Sequence, residues 1–418
     1  MAPFHVAAAL LVLPAACAAA ARFRHRADHA ALAGDDAGDV DFDAYMKTYG
    51  RVYEPGSEQH AMRKSLFQRS VEEVQRHNVA GHRWKAAVNA LSDRTAEELA
   101  ELRGYRRSRS QPNTVSSANF LGSDAHVIDL AKLPKELTWA HKLAATTEVQ
   151  DQSSCGSCWA FAATSVLRAH TELFQRDRTC SVQQVVSCTP NPNQCGGDGG
   201  CGGATAELAM NYILKTGCLP ADKMPYTAMN GECPRQLALN NHKEGTLGSM
   251  LAELSGVETG KSFGMLGFQK LPENQLEPLL SALYTMGPVV VSLAASGNWN
   301  SYYSGIYDHC SKDAEVNHAV MLVGFGEDAD GTKYWTIQNS WGPRWGEGGF
   351  IRVIRYDHAD EKQHCGIDRH PEVGSGCKGG PVEVPVCGHC GLLSDMVVPH
   401  FALANGSWWQ THGGLRTL

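Results

Sequence analysis

The sequence predicts an α+β protein, with a helical first half and a strand-rich second half, preceded by a charged helical segment. Three observations carry that expectation. From Trp159 the apolar residues Ala162, Ala163, Val166, Leu167, Leu173 and Phe174 recur at three- and four-residue steps, which marks a buried helix starting near Ser157. Residues 288–295, 318–326, 333–341 and 348–355 are β-branched and aromatic runs bounded by glycine and charged turns, which reads as antiparallel sheet. Between Glu58 and Ala80 the positions Gln59, Arg63, Phe67, Ser70, Val74 and Asn78 fall on one helix face.

In chain order, residues 1–21 are an apolar, alanine-rich run ending in small residues, with Arg22, Arg24 and Arg26 just beyond. The run is short for a membrane span and reads as a secretory signal peptide, so no stable membrane insertion is expected. Residues 22–130 are expected to be a separate segment, helical over about 42–100. Its polar stretch 108–122 has the composition of an exposed, cuttable linker. The net charge of −7 is mild and mixed, which argues against a nucleic-acid partner.

The stretch Gln152–Phe161 places Cys155 and Cys158 three residues apart at the predicted helix start. Cys158 then lies in a first helical turn, where unpaired N–H groups and the helix dipole favour an anion such as a thiolate. Of the 14 cysteines, Cys17 leaves with the signal peptide. With Cys158 set aside as a free thiol, an even number remains for disulfides in an oxidising compartment. The Gly/Cys-rich loop 195–203 precedes a helix from about Thr205 to Lys215. No Gly-Lys-Ser/Thr follows it, so it is not read as a phosphate loop. His318 stands at the start of one strand and Asn339 near the end of the next.

Together these residues resemble the papain family of cysteine proteases, of the cathepsin type. Cys155-Gly156-Ser157-Cys158-Trp159 is similar to the family nucleophile motif, Asn317-His318-Ala319 to its general-base motif, and Asn339-Ser340-Trp341-Gly342 to the motif that orients the histidine. Gln152 matches the oxyanion glutamine. In the preceding segment Arg63, Phe67 and Asn78 match the Glu-Arg-Phe-Asn-Ile-Asn pattern of cathepsin-L-like propeptides, while Gln59, Ser70 and Val74 depart from it. Ala87-x-Asn89-x-Leu91-x-Asp93 resembles the companion motif.

The resemblance implies a papain-like two-lobed fold over 131–370, an inhibitory propeptide over 22–130, and a Cys-containing extension over 371–418. It implies catalysis by Cys158, His318, Asn339 and Gln152, with Trp341 shielding the His–Asn hydrogen bond. Gly202 and Gly203 would run along the substrate backbone, and Thr205, Ser292, Ala319 and His370 around the pocket for the second residue before the cut. The disulfides implied are Cys155 with Cys201 (or Cys195), Cys188 with Cys233, and Cys310 with Cys365. The pairing of the other six cysteines stays open.

A free cysteine titrates near ~8.5, so holding a thiolate at pH ~5 needs about 4–5 kcal/mol. A helix start supplies roughly 0.3–2 kcal/mol, so a protonated His318 must supply most of the rest. The expectation is a cysteine-type endopeptidase made as a zymogen, with an exopeptidase of the same family as the alternative. A non-catalytic relative or a Cys155/Cys158 dithiol redox protein is disfavoured by the complete set of residues. Protein and peptide substrates and its own propeptide are the partners expected of a monomer in a lysosome- or vacuole-like compartment or outside the cell. No cofactor and no metal are called for. Cys387-x-x-Cys390 with His389 and His400 is expected to form a disulfide loop rather than a zinc site, and Asn405 begins a glycosylation sequon.

Overall fold

The computed structural model describes residues 41–104, 133–234, 265–357, 360 and 362–407, apart from positions 296, 375 and 406. The expected signal peptide, the linker 108–122 and the loop length around 240–265 lie outside them.

The first described unit holds α1 (Phe42–Thr48), α2 (Glu58–Val79), β1 (Trp84–Ala86) and α3 (Ala96–Glu101). Ser57 caps α2 by accepting from the His60 N–H, and Thr95 with Glu98 forms a capping box on α3. Phe42, Tyr45, Phe67 and Val88 make a small aromatic core of their own. The helix face seen in the sequence has definite partners. Arg63 grips Glu98 in a fork at 2.5 and 2.7 Å and donates to the Asp93 carbonyl. Asn78 closes the turn into β1 by pairing with both backbone groups of Ala86.

The second unit begins with β2 (Leu137–Thr138), followed by helices α4 (Cys158–Phe174), α5 (Val182–Cys188) and α6 (Ala206–Thr216). After them come β3 (Met265–Lys270), α7 (Leu276–Thr285), β4 (Val289–Leu293), β5 (Tyr302–Tyr307), β6 (His318–Glu327), β7 (Lys333–Gln338) and β8 (Phe350–Ile354). Short β9 (Gly366–Asp368) and β10 (Val384–Val386) precede β11 (Asp395–Phe401). The main sheet runs β1-β5-β8-β7-β6-β4-β11-β3, with β2 on β6. Helix α4 is buried almost throughout and packs on β6 and β11. The propeptide-like segment joins the sheet at its edge, where Trp84 and Lys85 pair with Gly305 and Ser304.

Two expectations are corrected. The described part of the expected extension over 371–418 is not an appendage, since β11 is an inner strand between β4 and β3. The bond from Cys310 to Cys365 does not form: Cys310 joins Cys390, and Cys365 joins Cys387. The cause is visible in the sequence. His-Cys-Gly followed by an aliphatic residue occurs twice, at 364–367 and at 389–392, and the fold uses the second copy to enter its last strand.

The stretch 365–387 is therefore an inserted hairpin. Its base is closed by Cys365–Cys387 and by the β9–β10 ladder, and its tip is bonded through Cys377 to Cys195. Gly196 N–H donates to the Gly376 carbonyl at 2.8 Å, and Lys378 N–H to Asn193. On the other side Gly374 lies so close to the backbone of Val316 and Asn317 that no Cβ fits there. The hairpin thus straps the helical half to the sheet half. The pairs Cys155–Cys201 and Cys188–Cys233 coincide with those the resemblance implied, and Cys180–Cys218 completes the set.

Candidate active site

Cys158 is the first residue of α4, and it is the one free cysteine among the described residues. The turn before it is pinned by Cys155–Cys201 and by Trp159, whose indole N–H donates to the Gly200 carbonyl at 3.1 Å. His318 opens β6, and Asn339 follows the end of β7. Because Met321 is paired with Gln338, the strand register brings the two side chains together. His318 Nε2 donates to Asn339 Oδ1 at 2.8 Å, and the Trp341 ring packs 5.0 Å from the imidazole. The other ring nitrogen, Nδ1, is buried without a hydrogen-bond partner. His318 and Cys158 line the same pocket.

Burial disfavours the charged form of both groups. Burial pushes the Cys158 thiol up to about 11, against the backbone N–H groups of Ala319, Trp159 and Cys158 itself, which pull it down. Burial pushes His318 down to about 4, helped by the nearby Arg103 guanidinium and opposed by the bond to Asn339. Burial thus works against the charged form of both groups while the propeptide is in place.

The segment after α3 is what buries them. Gln152 Nε2 donates to the Leu102 carbonyl at 2.7 Å and to the Cys155 carbonyl at 2.8 Å, while its Oε1 accepts from Ser340. Arg103 donates to the Ala295 carbonyl. Gly104, at φ +71°, passes between Gly156 and Gly203, where a Cβ would stand 3.2 Å from backbone on both sides. About 20 Å³ remains free in the pocket, room for roughly one water.

The pocket gathers Gly203, Thr205, Ser292 and Ala319, with Gly202 adjoining. The sheet explains this: Ala319, Ser292 and Asp395 face one another in one row across β6, β4 and β11. His370 is not among them. It is exposed on the inserted hairpin and lines a separate cavity of about 580 Å³ with Asp198, Glu315, Glu372 and Lys378. The position expected of His370 is taken by Asp395, which stands five residues after Cys390 as His370 does after Cys365. Asp395 accepts from Ser292 Oγ at 2.6 Å and faces Lys270 Nζ at 3.2 Å. Glu207 lies 3.9 Å from the same Lys270, and burial together with the Asp395 charge pushes it up to about 7. Sequence reasoning missed both acids, although the repeated His-Cys-Gly was the available signal. Asn405 is exposed near the end of the described chain.

A helical half and a β half that meet at a free thiol and an asparagine-held imidazole define a thiol-protease type of fold and site. Residues 133–375 match the family model described as papain family cysteine protease, and residues 42–99 match the cathepsin propeptide inhibitor domain. Cathepsin S of Bos taurus is 31% identical over 341 residues, covering 80% of this chain and 91% of that protein. Cathepsin L1 of Drosophila melanogaster is 32% identical over 296 residues, covering 68% and 70%. Among solved structures, the proform of the ragweed pollen cysteine protease Amb a 11 superposes with a TM-score of 0.60 at 25% identity, covering 87% of this chain and 94% of its own. The chain belongs to the papain family of cysteine proteases. Its inhibitor domain indicates a zymogen inhibited by its own propeptide.

Proposed function

We propose that the chain is the precursor of a peptide-bond hydrolase in which Cys158 is the nucleophile. The observation that carries this is the free, buried Cys158 sharing a pocket with the unpartnered Nδ1 of His318, whose Nε2 is tied to Asn339. Once the propeptide leaves, water and substrate reach both groups, and proton transfer from Sγ to Nδ1 yields the ion pair. The thiolate adds to the peptide carbonyl, and the His318 imidazolium protonates the leaving amine. A water deprotonated by His318 then hydrolyses the thioester. Gln152 Nε2 and the Cys158 backbone N–H supply the oxyanion donors, worth ~2.7–4 kcal/mol each in comparable sites. Trp341 keeps water from the His318–Asn339 bond. The leader over residues 1–21 and the disulfides support a secretory route to a lysosome- or vacuole-like compartment or to the outside.

Endopeptidase action is the first reading of the substrate class. The strap favours a second. The pocket that holds Cys158, Thr205, Ser292 and Ala319 has Gly196 and Gly374 in its wall, so the cleft is bounded close to where a substrate's N-terminal side would lie. That arrangement suits release of short N-terminal peptides. Two measurements separate the readings. Acidified zymogen, with and without Cys158→Ser, should show Cys158-dependent peptide cleavage. Matched substrates extended or truncated on the N-terminal side of the cut then tell the two readings apart: preference for a free, nearby N-terminus supports the exopeptidase.

A further inference from the structure

Three histidines meet where the propeptide docks on the peptidase domain. His77 is buried in the last turn of α2, His82 is exposed in the turn that follows, and His309 is exposed just after β5 of the peptidase domain. Pairing of β1 with β5 brings them together. The His77 and His82 rings are 4.4 Å apart and nearly parallel; His309 stands edge-on, 4.4 Å from His82 and 5.6 Å from His77. One ring nitrogen of each lies within 4.8 Å of the other two. At Zn–N distances of about 2.0–2.1 Å, small ring rotations would close that set around one ion.

The surroundings are those of metal-binding imidazoles, which donate their second ring N–H to a carbonyl or carboxylate. His77 Nε2 is 3.1 Å from the Trp84 carbonyl. His309 Nδ1 is 2.8 Å from Asp308 Oδ1, and also 3.0 Å from Trp84 Nε1, the partner it takes in its other tautomer. Exposure of His82 and His309 leaves an entry path and a place for a water as fourth ligand.

We propose that His77, His82 and His309 bind a zinc-class divalent ion in the zymogen. Two ligands belong to the propeptide and one to the peptidase domain, so the ion fastens the inhibitor to the enzyme. Binding to the docked form alone stabilises that form by mass action. Release of the propeptide removes two of the three ligands and so releases the ion.

The test uses full-length zymogen carrying Cys158→Ser, stripped with chelator and titrated with zinc chloride by calorimetry, with cobalt(II) absorption as a second readout. One ion per chain is expected. Affinity should fall at least tenfold in His309→Ala and in His82→Ala, and the exposed His82→Ala should keep the parent's metal-free melting temperature. Zinc should raise the melting temperature of the parent but not of His309→Ala. Absence of binding, several equivalents, or equal affinity in parent and His309→Ala would overturn the proposal. None of these readouts depends on peptidase activity, so the catalytic reading stands or falls separately.

Discussion

Gln152 Nε2 lies 2.7 Å from the Leu102 carbonyl, so a propeptide carbonyl occupies the donor assigned to the oxyanion. Just beyond it, Gly104 threads between two glycines at a positive φ that L side chains rarely adopt. Gly104→Val should therefore loosen the propeptide. Contacts of 3.2 Å with backbone on both sides cannot relax cheaply. The variant zymogen is expected to show measurable activity at pH 7 and faster acid conversion, read with a fluorogenic peptide. Unchanged latency would count against this threading.

The zymogen thiol should be nearly inert. With Cys158 pushed up to about 11, roughly one molecule in 10,000 is thiolate at pH 7. Alkylation by iodoacetamide, followed by mass spectrometry, should accelerate at least a hundredfold when the propeptide is removed. Equal rates would mean that burial does not suppress the nucleophile.

Acid should weaken the zymogen through buried histidines and not through the Arg63–Glu98 bridge. His170, His318 and His389 are each pushed by burial from 6.5 to about 4. Between pH 6.5 and 4 the unfolded chain takes up protons there that the folded chain refuses. Stability therefore falls as pH drops through that window and levels off below it. Glu207, raised to about 7, opposes this between pH 7 and 4.5, one group against three. Glu98 is held down to about 2 mainly by Arg63, so its contribution is lost only as pH falls towards 2. The melting temperature of Cys158→Ser zymogen should drop by on the order of 10 °C from pH 7 to 4.5; a flat profile would contradict the assignment.

Specificity should follow Asp395. The pocket end carries Asp395 and Glu207 against one Lys270, and Glu207 gains charge as pH rises through about 7. A basic residue two before the cut should gain on leucine in relative kcat/KM between pH 5 and 7.5. Asp395→Asn should reduce that gain several-fold, and His370→Ala should leave it unchanged. A pH-independent ratio in the parent enzyme would sink the idea.

The strap makes a separable prediction. Replacing both Cys195 and Cys377 by serine removes its covalent tie to the helical half. Cleavage of substrates with long N-terminal extensions should rise relative to short ones. No change in that ratio would leave the cleft end to be set by something else.

Periodicity alone made α4, β4, β6, β7 and β8 legible, because a buried helix and alternating strands leave local signals. Cys158, His318 and Asn339 were readable because short motifs surround each of them. Elsewhere the information was not local. Cys365 and Cys390 present nearly the same four residues, and it is the copy at Cys390 that leads into β11, where Asp395 joins Ser292 and Ala319 in one row. Assigning the first copy misplaced both a disulfide and the pocket residue. His82 and His309 are brought together by edge pairing of β1 with β5, which no spacing encodes. The burial that disfavours charge on the thiol and imidazole comes partly from a distant segment, whose Arg103 and Gly104 line their pocket.

The central claim is that Cys158 is the nucleophile of a latent peptidase. Acidify purified zymogen and its Cys158→Ser variant in parallel, then assay both on a peptide library. The account predicts propeptide loss and peptide cleavage in the parent and no cleavage in the variant. Cleavage that persists without the Cys158 thiol, or its absence in fully processed parent enzyme, would contradict it.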